Sequence, residues 1–117
     1  MVPASYPFRA ATGRSFIPAQ THDDGMADLL SDEEIAEQLP TDWDRDGDEI
    51  VRTYEFDSYL PGVGFAAGIG GIAEDAWHHP EITITWGEVE VRLTTHDTGG
   101  ITGKDIDLAE RFDEVYE

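Results

Sequence analysis

The 117-residue sequence predicts one α+β domain with the element order α-β-β-α-β-β-α, a four-stranded antiparallel sheet carrying three helices on one face. Three observations lead there. Two capping boxes, at Ser31 and at Thr102, each open an amphipathic segment. Two pairs of alternating apolar runs are each joined by a tight turn containing glycine. Between those pairs lies one stretch whose apolar residues recur at helical spacing.

Residues 1–25 mix Pro, Gly, Ser, Thr and Ala without a sustained period and read as a flexible tail. The domain is expected over 26–117, and Met26 reads as an alternative start of translation. Ser31 and Glu34 form the first capping box, with Leu30 and Ile35 at the staple positions, so a short helix is predicted over about 32–39, ended by Pro40. A hairpin follows at Asp46-Gly47, where Ile50, Arg52, Tyr54 and Phe56 alternate against Val51, Thr53 and Glu55. From Ser58 to about Trp77 the period lengthens: Phe65, Ile69, Ile72 and Ala76 are spaced by four, three and four. Gly62, Gly64, Gly68, Gly70 and Gly71 weaken this helix by up to ~1 kcal/mol each relative to Ala.

After Pro80 the period drops to two. Ile82, Ile84 and Trp86 share one face and Val89, Val91 and Leu93 share another, with Gly87 at the turn of a second hairpin. Thr102 then caps a last helix, with Asp105 at the box position and Ile101 and Ile106 as the staple. Leu108, Ala109, Phe112, Val115 and Tyr116 supply its apolar face.

The charge excludes some functions. There are 26 acidic residues against 7 basic ones, a net charge of −19, and Lys104 is the only lysine. Such a surface repels phosphate backbones, so nucleic-acid binding is not expected. No apolar run approaches the roughly 20 residues needed to span a bilayer, and no basic-then-apolar leader opens the chain. Cysteine is absent, which removes disulfides and thiolate chemistry. A cytoplasmic protein follows as the default. The clear periodicity argues against disorder, and the excess of carboxylates suits a salt-rich interior, where the Debye length shrinks to about 3 Å near 1 M salt.

Two motifs are weak. Asp42-x-Asp44-x-Asp46-Gly47 opens like a calcium loop, but position twelve is Thr53 and the segment alternates like a strand, so an acidic hairpin is the better reading. Gly62-x-Gly64-x-x-x-Gly68 lacks the βαβ context and the spacing of a dinucleotide fingerprint, and close helix–sheet packing explains it better.

The histidines carry more. His78 follows Glu74 by four residues, which on a helix puts both on one face and lets the carboxylate hold the imidazole. His79 lies three after Ala76 and seven after Ile72, so the same helical geometry points it toward the sheet. His96 ends the last strand, and a tight antiparallel pair returns it to the start of the strand before, beside His78 and His79. The fourth histidine, His22, is in the tail, and adjacent histidines leaving a helix rarely share one ion. The spacing alone leaves acid–base chemistry, a metal site and a purely structural cluster all open.

This stretch resembles the pterin-4a-carbinolamine dehydratase family. Three residues separate Glu74 from His78-His79-Pro80, five more precede Trp86, nine precede His96 and a further eight precede Asp105. Leu93 through Asp97, Gly99-Gly100-Ile101-Thr102, and Tyr54-x-Phe56 leading into the glycine-rich helix also look like the family. The resemblance covers about residues 26 to 116. It departs at Trp77, where a small polar residue is common, and at Ile82, where an aromatic is common.

The resemblance implies elimination of water from a 4a-hydroxytetrahydropterin to give the quinonoid dihydropterin. One group must protonate the departing hydroxyl and another must take the proton from N5, tasks suited to histidine near neutral pH. It implies His78, His79 and His96 as catalytic residues with Glu74 orienting, and Pro80, Thr95, Asp97 and Thr98 as pterin contacts. Asp105 is sufficiently explained as a helix cap. No metal or organic cofactor is implied, since there is no net redox change. The implied partners are a pterin substrate, an aromatic amino acid hydroxylase pathway and further copies of the chain in a dimer or tetramer. The family also resembles dimerisation partners of regulators, so a scaffold of the same fold, or another pterin linked to molybdenum-cofactor metabolism, are the competing readings.

Overall fold

The computed structural model describes residues 28–117, so the tail and Met26 lie outside the described residues. Three helices, α1 (Asp32–Gln38), α2 (Tyr59–Ala76) and α3 (Gly103–Tyr116), alternate with two hairpins, β1 (Asp44–Asp46) with β2 (Glu49–Glu55), and β3 (Glu81–Ile84) with β4 (Glu88–Leu93). This is the predicted order. The sheet is antiparallel throughout with strand order β1-β2-β4-β3, so the later strand of each hairpin pairs at the centre, Ile50 opposite Leu93 and Tyr54 opposite Val89.

Local chemistry accounts for the element ends. Ser31 Oγ accepts from the Glu34 amide at 3.1 Å while Glu34 returns a carboxylate to the Ser31 amide at 2.8 Å, completing the capping box of α1. The first hairpin turns at Gly47, whose φ of +63° lies in the left-handed region that favours glycine. The core is formed by the inward residues of the central strands (Ile50, Tyr54, Val89, Val91, Leu93) against Phe65 and Ile69 of α2 and Leu108 and Phe112 of α3. Of the second hairpin's outer apolar set, only Ile82 packs on this core; Ile84 and Trp86 are exposed.

The glycines of α2 do not act alike. A Cβ at Gly62 would stand 3.2 Å from Val89 Cγ2, so close approach of helix and sheet requires glycine there. At Gly64 nothing lies within 4 Å, and Gly68 meets only Val115 at 3.9 Å. The packing explanation therefore holds for Gly62 and not for the other two.

A polar knot ties α3 to the first hairpin. The Asp113 carboxylate accepts hydrogen bonds from Trp43 Nε1 (3.0 Å), Arg52 (2.8 Å) and the Tyr54 hydroxyl (2.6 Å). The Arg52 guanidinium also lies 4.4 Å from the Tyr54 ring centroid and 5.2 Å from that of Tyr116. Burial pushes the Tyr54 hydroxyl pKa well up, and the bond to Asp113 adds to the shift.

The opposite sheet face is acidic. Asp46, Glu49 and Glu90 gather on Arg92 at 2.9, 2.9 and 3.2 Å, while Glu55 is paired directly across from Glu88. Like charges at opposed positions destabilise a sheet. Melting temperature is therefore expected to climb as KCl rises from about 0.1 to 2 M, steeply at first, as the Debye length falls from about 10 Å to under 3 Å. A flat or falling curve would remove charge repulsion as a determinant of stability.

Candidate active site

The site forms where α2 stops. The backbone leaves the helix at Trp77, which adopts a left-handed conformation (φ 53°, ψ 47°), and the His78 amide closes back onto the Ala73 carbonyl at 3.0 Å. A bulky residue in that region is strained by roughly 1–2 kcal/mol. The reversal at Trp77, ahead of Pro80, throws the next two side chains off the helical face and separates their surroundings.

His78 turns inward and is buried, and its Nε2 lies 2.6 Å from Asp105 Oδ1. His79 turns outward, half exposed, with Nε2 at 2.8 Å from Glu74 Oε1. This reverses the expected pairing. Helical geometry would have set Glu74 against His78 and aimed His79 at the sheet, but neither histidine remains on the helix.

Asp105 joins the site to the fold. It is fully buried in the first turn of α3. Its Oδ2 accepts from the Thr102 amide at 2.9 Å and from the Thr95 hydroxyl at 2.8 Å, while Oδ1 faces His78. Since the Thr95 hydroxyl donates to Asp105, the 2.8 Å contact between Thr95 and Thr102 must be donated by Thr102. A buried carboxyl group needs such hydrogen-bond partners in place of the water it has given up. The capping role predicted for Asp105 is present, and the same group also grips His78, a second role that capping alone did not suggest. The Asp that follows the last histidine in the family signature was a signal for this second role, which the capping explanation passed over.

A pocket of about 190 Å³ is lined by Trp77, His78, His79, Thr94, Thr95, His96, Asp97 and Lys104. The three histidines thus share one cavity. His96 is exposed and begins the turn 96–99, whose following amides close on the Thr95 carbonyl. Thr95 is buried with its hydroxyl directed to Asp105 and Thr102. Pro80, Thr98 and Glu74 do not line the cavity: Glu74 reaches it only through His79, and Thr98 closes the turn by its amide to Thr95. With Nε2 of both His78 and His79 engaged by carboxylates, Nδ1 is the ring nitrogen each has left for a ligand. Two imidazoles, each backed by a carboxylate, form an arrangement that can take up and release protons. Among the described residues, no group of three or more His, Asp and Glu side chains is placed to hold a metal ion.

The sequence pattern of the pterin 4 alpha carbinolamine dehydratase family matches residues 28–115. The chain belongs to this family. Among its relatives, proteins carrying the name "Putative pterin-4-alpha-carbinolamine dehydratase" are 74% identical over 92 residues in Natronomonas pharaonis and 65% identical over 92 residues in Haloarcula marismortui, each match spanning 79% of this chain and 100% of the relative. These are halophilic archaea, in keeping with the acidic surface. The crystal structure of a transcriptional coactivator/pterin dehydratase from Brucella melitensis superimposes with a TM-score of 0.71 at 29% identity, covering 75% of this chain and 98% of that one. A pterin dehydratase-like RuBisCO assembly factor of the α-carboxysome shares the fold, with a TM-score of 0.56 at 20% identity over 67% of this chain and 96% of that one. Family membership establishes a pterin dehydratase scaffold. No helix among the described residues is long and apolar enough to cross a membrane.

Proposed function

We propose that this chain is a 4a-hydroxytetrahydropterin dehydratase, a hydro-lyase that forms the quinonoid dihydropterin by histidine acid–base catalysis. The observation that carries the reading is the convergence of His78, His79 and His96 on one pocket, with His78 gripped by a buried carboxylate. In the substrate, C4a carries the hydroxyl and N5 carries a hydrogen. One imidazole takes the N5 proton, the electron pair closes the C4a=N5 double bond, and a protonated imidazole delivers its proton to the hydroxide leaving as water. The net change is loss of one water, with no electron acceptor required. Asp105 keeps the Nε2 of His78 directed inward and stabilises the imidazolium whenever that ring holds two protons; Glu74 does the same, less tightly, for the more exposed His79. His96, with Asp97, borders the pocket where the pterin ring would be held.

The reading places the protein in the cytoplasm, in recycling of a tetrahydrobiopterin-type cofactor that an aromatic amino acid hydroxylase would oxidise, as a dimer or tetramer. A scaffold reading has one observation in its favour, that the Brucella melitensis relative is a transcriptional coactivator/pterin dehydratase. The deciding experiment is a dehydration assay in salt-rich buffer with 4a-hydroxytetrahydropterins differing in their side chains. Acceleration over the spontaneous reaction is expected; a folded wild-type chain without it would leave the scaffold reading in place.

A further inference from the structure

Trp77 has no structural duty that explains it. Its backbone adopts the left-handed conformation that glycine or asparagine reaches more easily, and its side chain is 63% exposed at the rim of the pocket. Its ring contact is with His79: the centroids are 4.8 Å apart and the planes meet at 82°. The helix could end here on glycine with less backbone strain and no loss from the core. A large apolar face held in water beside a proposed proton-transfer group therefore calls for a partner.

We infer that Trp77 is a specificity-determining residue, the aromatic wall on which the planar pyrimidine half of the substrate stacks beside His79. The inference rests on the dehydratase reading. It follows from the relative orientation of the two rings. A heterocycle lying parallel to the indole stands nearly perpendicular to the His79 imidazole, which can then aim an edge nitrogen at a substituent rising from the face of the heterocycle. The 4a-hydroxyl is such a substituent, because C4a is tetrahedral before dehydration and planar afterwards. Stacking on Trp77 also shields one side of the reacting carbon from water. The ligand class selected is a bicycle with one planar conjugated ring, such as the pyrimidine half of a pterin, rather than a fully saturated or branched ring.

The test uses the full chain in salt-rich buffer with Trp77→Gly, Trp77→Asn and Trp77→Phe. Binding is measured calorimetrically with 7,8-dihydrobiopterin, and turnover with the 4a-hydroxytetrahydropterin. The Gly and Asn variants, which relieve the backbone while deleting the ring, are expected to melt at or above the wild-type temperature. Their Kd and KM should rise about tenfold, in the range lost when an aromatic stacking partner is deleted, with kcat changing much less. Trp77→Phe should restore most of the affinity. Unchanged Kd and KM in both ring-less variants, with an active wild type, would overturn the inference and leave the dehydratase reading intact. A lowered melting temperature in both would show Trp77 to be structural and also overturn it. A wild type that neither binds nor dehydrates pterins would defeat the dehydratase reading and this inference with it.

Discussion

His78→Ala is expected to lower kcat for carbinolamine dehydration by roughly 10²–10⁴-fold, the usual worth of a positioned proton-transfer group. His79→Ala should lower it by less, because His79 is half exposed and its carboxylate, Glu74, is 68% exposed, whereas the His78–Asp105 pair is shut away from water. The double variant should fall short of the product of the two if one ring partly covers for the other. His96→Ala should raise KM more than it lowers kcat. Glu74→Gln should produce a small rate loss through His79. Asp105 separates orientation from shape: Asp105→Asn keeps the volume but removes the charge facing His78 and should cut kcat with a moderate loss of stability. Asp105→Ala strands Thr95, the Thr102 amide and His78 together and should destabilise by about 3 kcal/mol or more. Steady-state rates on variants shown to be folded by circular dichroism check this. Wild-type rates from folded His78→Ala, His79→Ala and the double variant would defeat the mechanism.

Asp113→Ala should cause the largest loss of stability outside the site. It leaves Trp43 Nε1 and the Tyr54 hydroxyl without an acceptor in the interior, where Trp43 is 4% and Tyr54 0% exposed, and it unpairs Arg52. Removing one member of a largely buried ion pair costs about 3–5 kcal/mol. For a domain of this size that corresponds to a fall in melting temperature of more than about 10 °C. Asp113→Asn, which can still accept from Tyr54, should lose much less. Thermal melts in salt-rich buffer distinguish the two, and an Asp113→Ala variant melting within a few degrees of wild type would show the knot to be energetically idle. The knot lies away from the residues lining the pocket, so KM measured well below the melting point should hardly change.

The fold was legible because its signals are local. Capping boxes at Ser31 and Thr102, alternation through Ile50, Tyr54, Val89 and Val91, and the glycine turns each act within a few residues, and each recurs in the structure. The convergence of the three histidines was legible from the antiparallel return of β4 along β3. Their partners were not. Assigning Glu74 to His78 assumed that the helix runs through the pair, and it stops instead at Trp77, a residue whose type gives no warning of a left-handed cap. The grip of Asp105 on His78 spans 27 residues and depends on how α3 meets the end of α2, which no local period encodes. The Asp113 knot was hidden for the same reason: its partners are 59 to 70 residues away, and each alone reads as an ordinary strand or loop residue.

Because one oxygen of Asp105 holds the Thr102 amide and the other holds His78, the opening turn of α3 and the geometry of His78 are a single thermodynamic unit. Fraying of that turn, normally the least consequential motion a helix undergoes, would release the imidazole at the same moment. Under the proposed mechanism, catalytic competence would be bounded by the free energy of a local opening rather than of global unfolding. The Thr102 amide proton becomes a native reporter of it: its exchange with solvent deuterium would track the fraction of molecules in which His78 has lost its anchor.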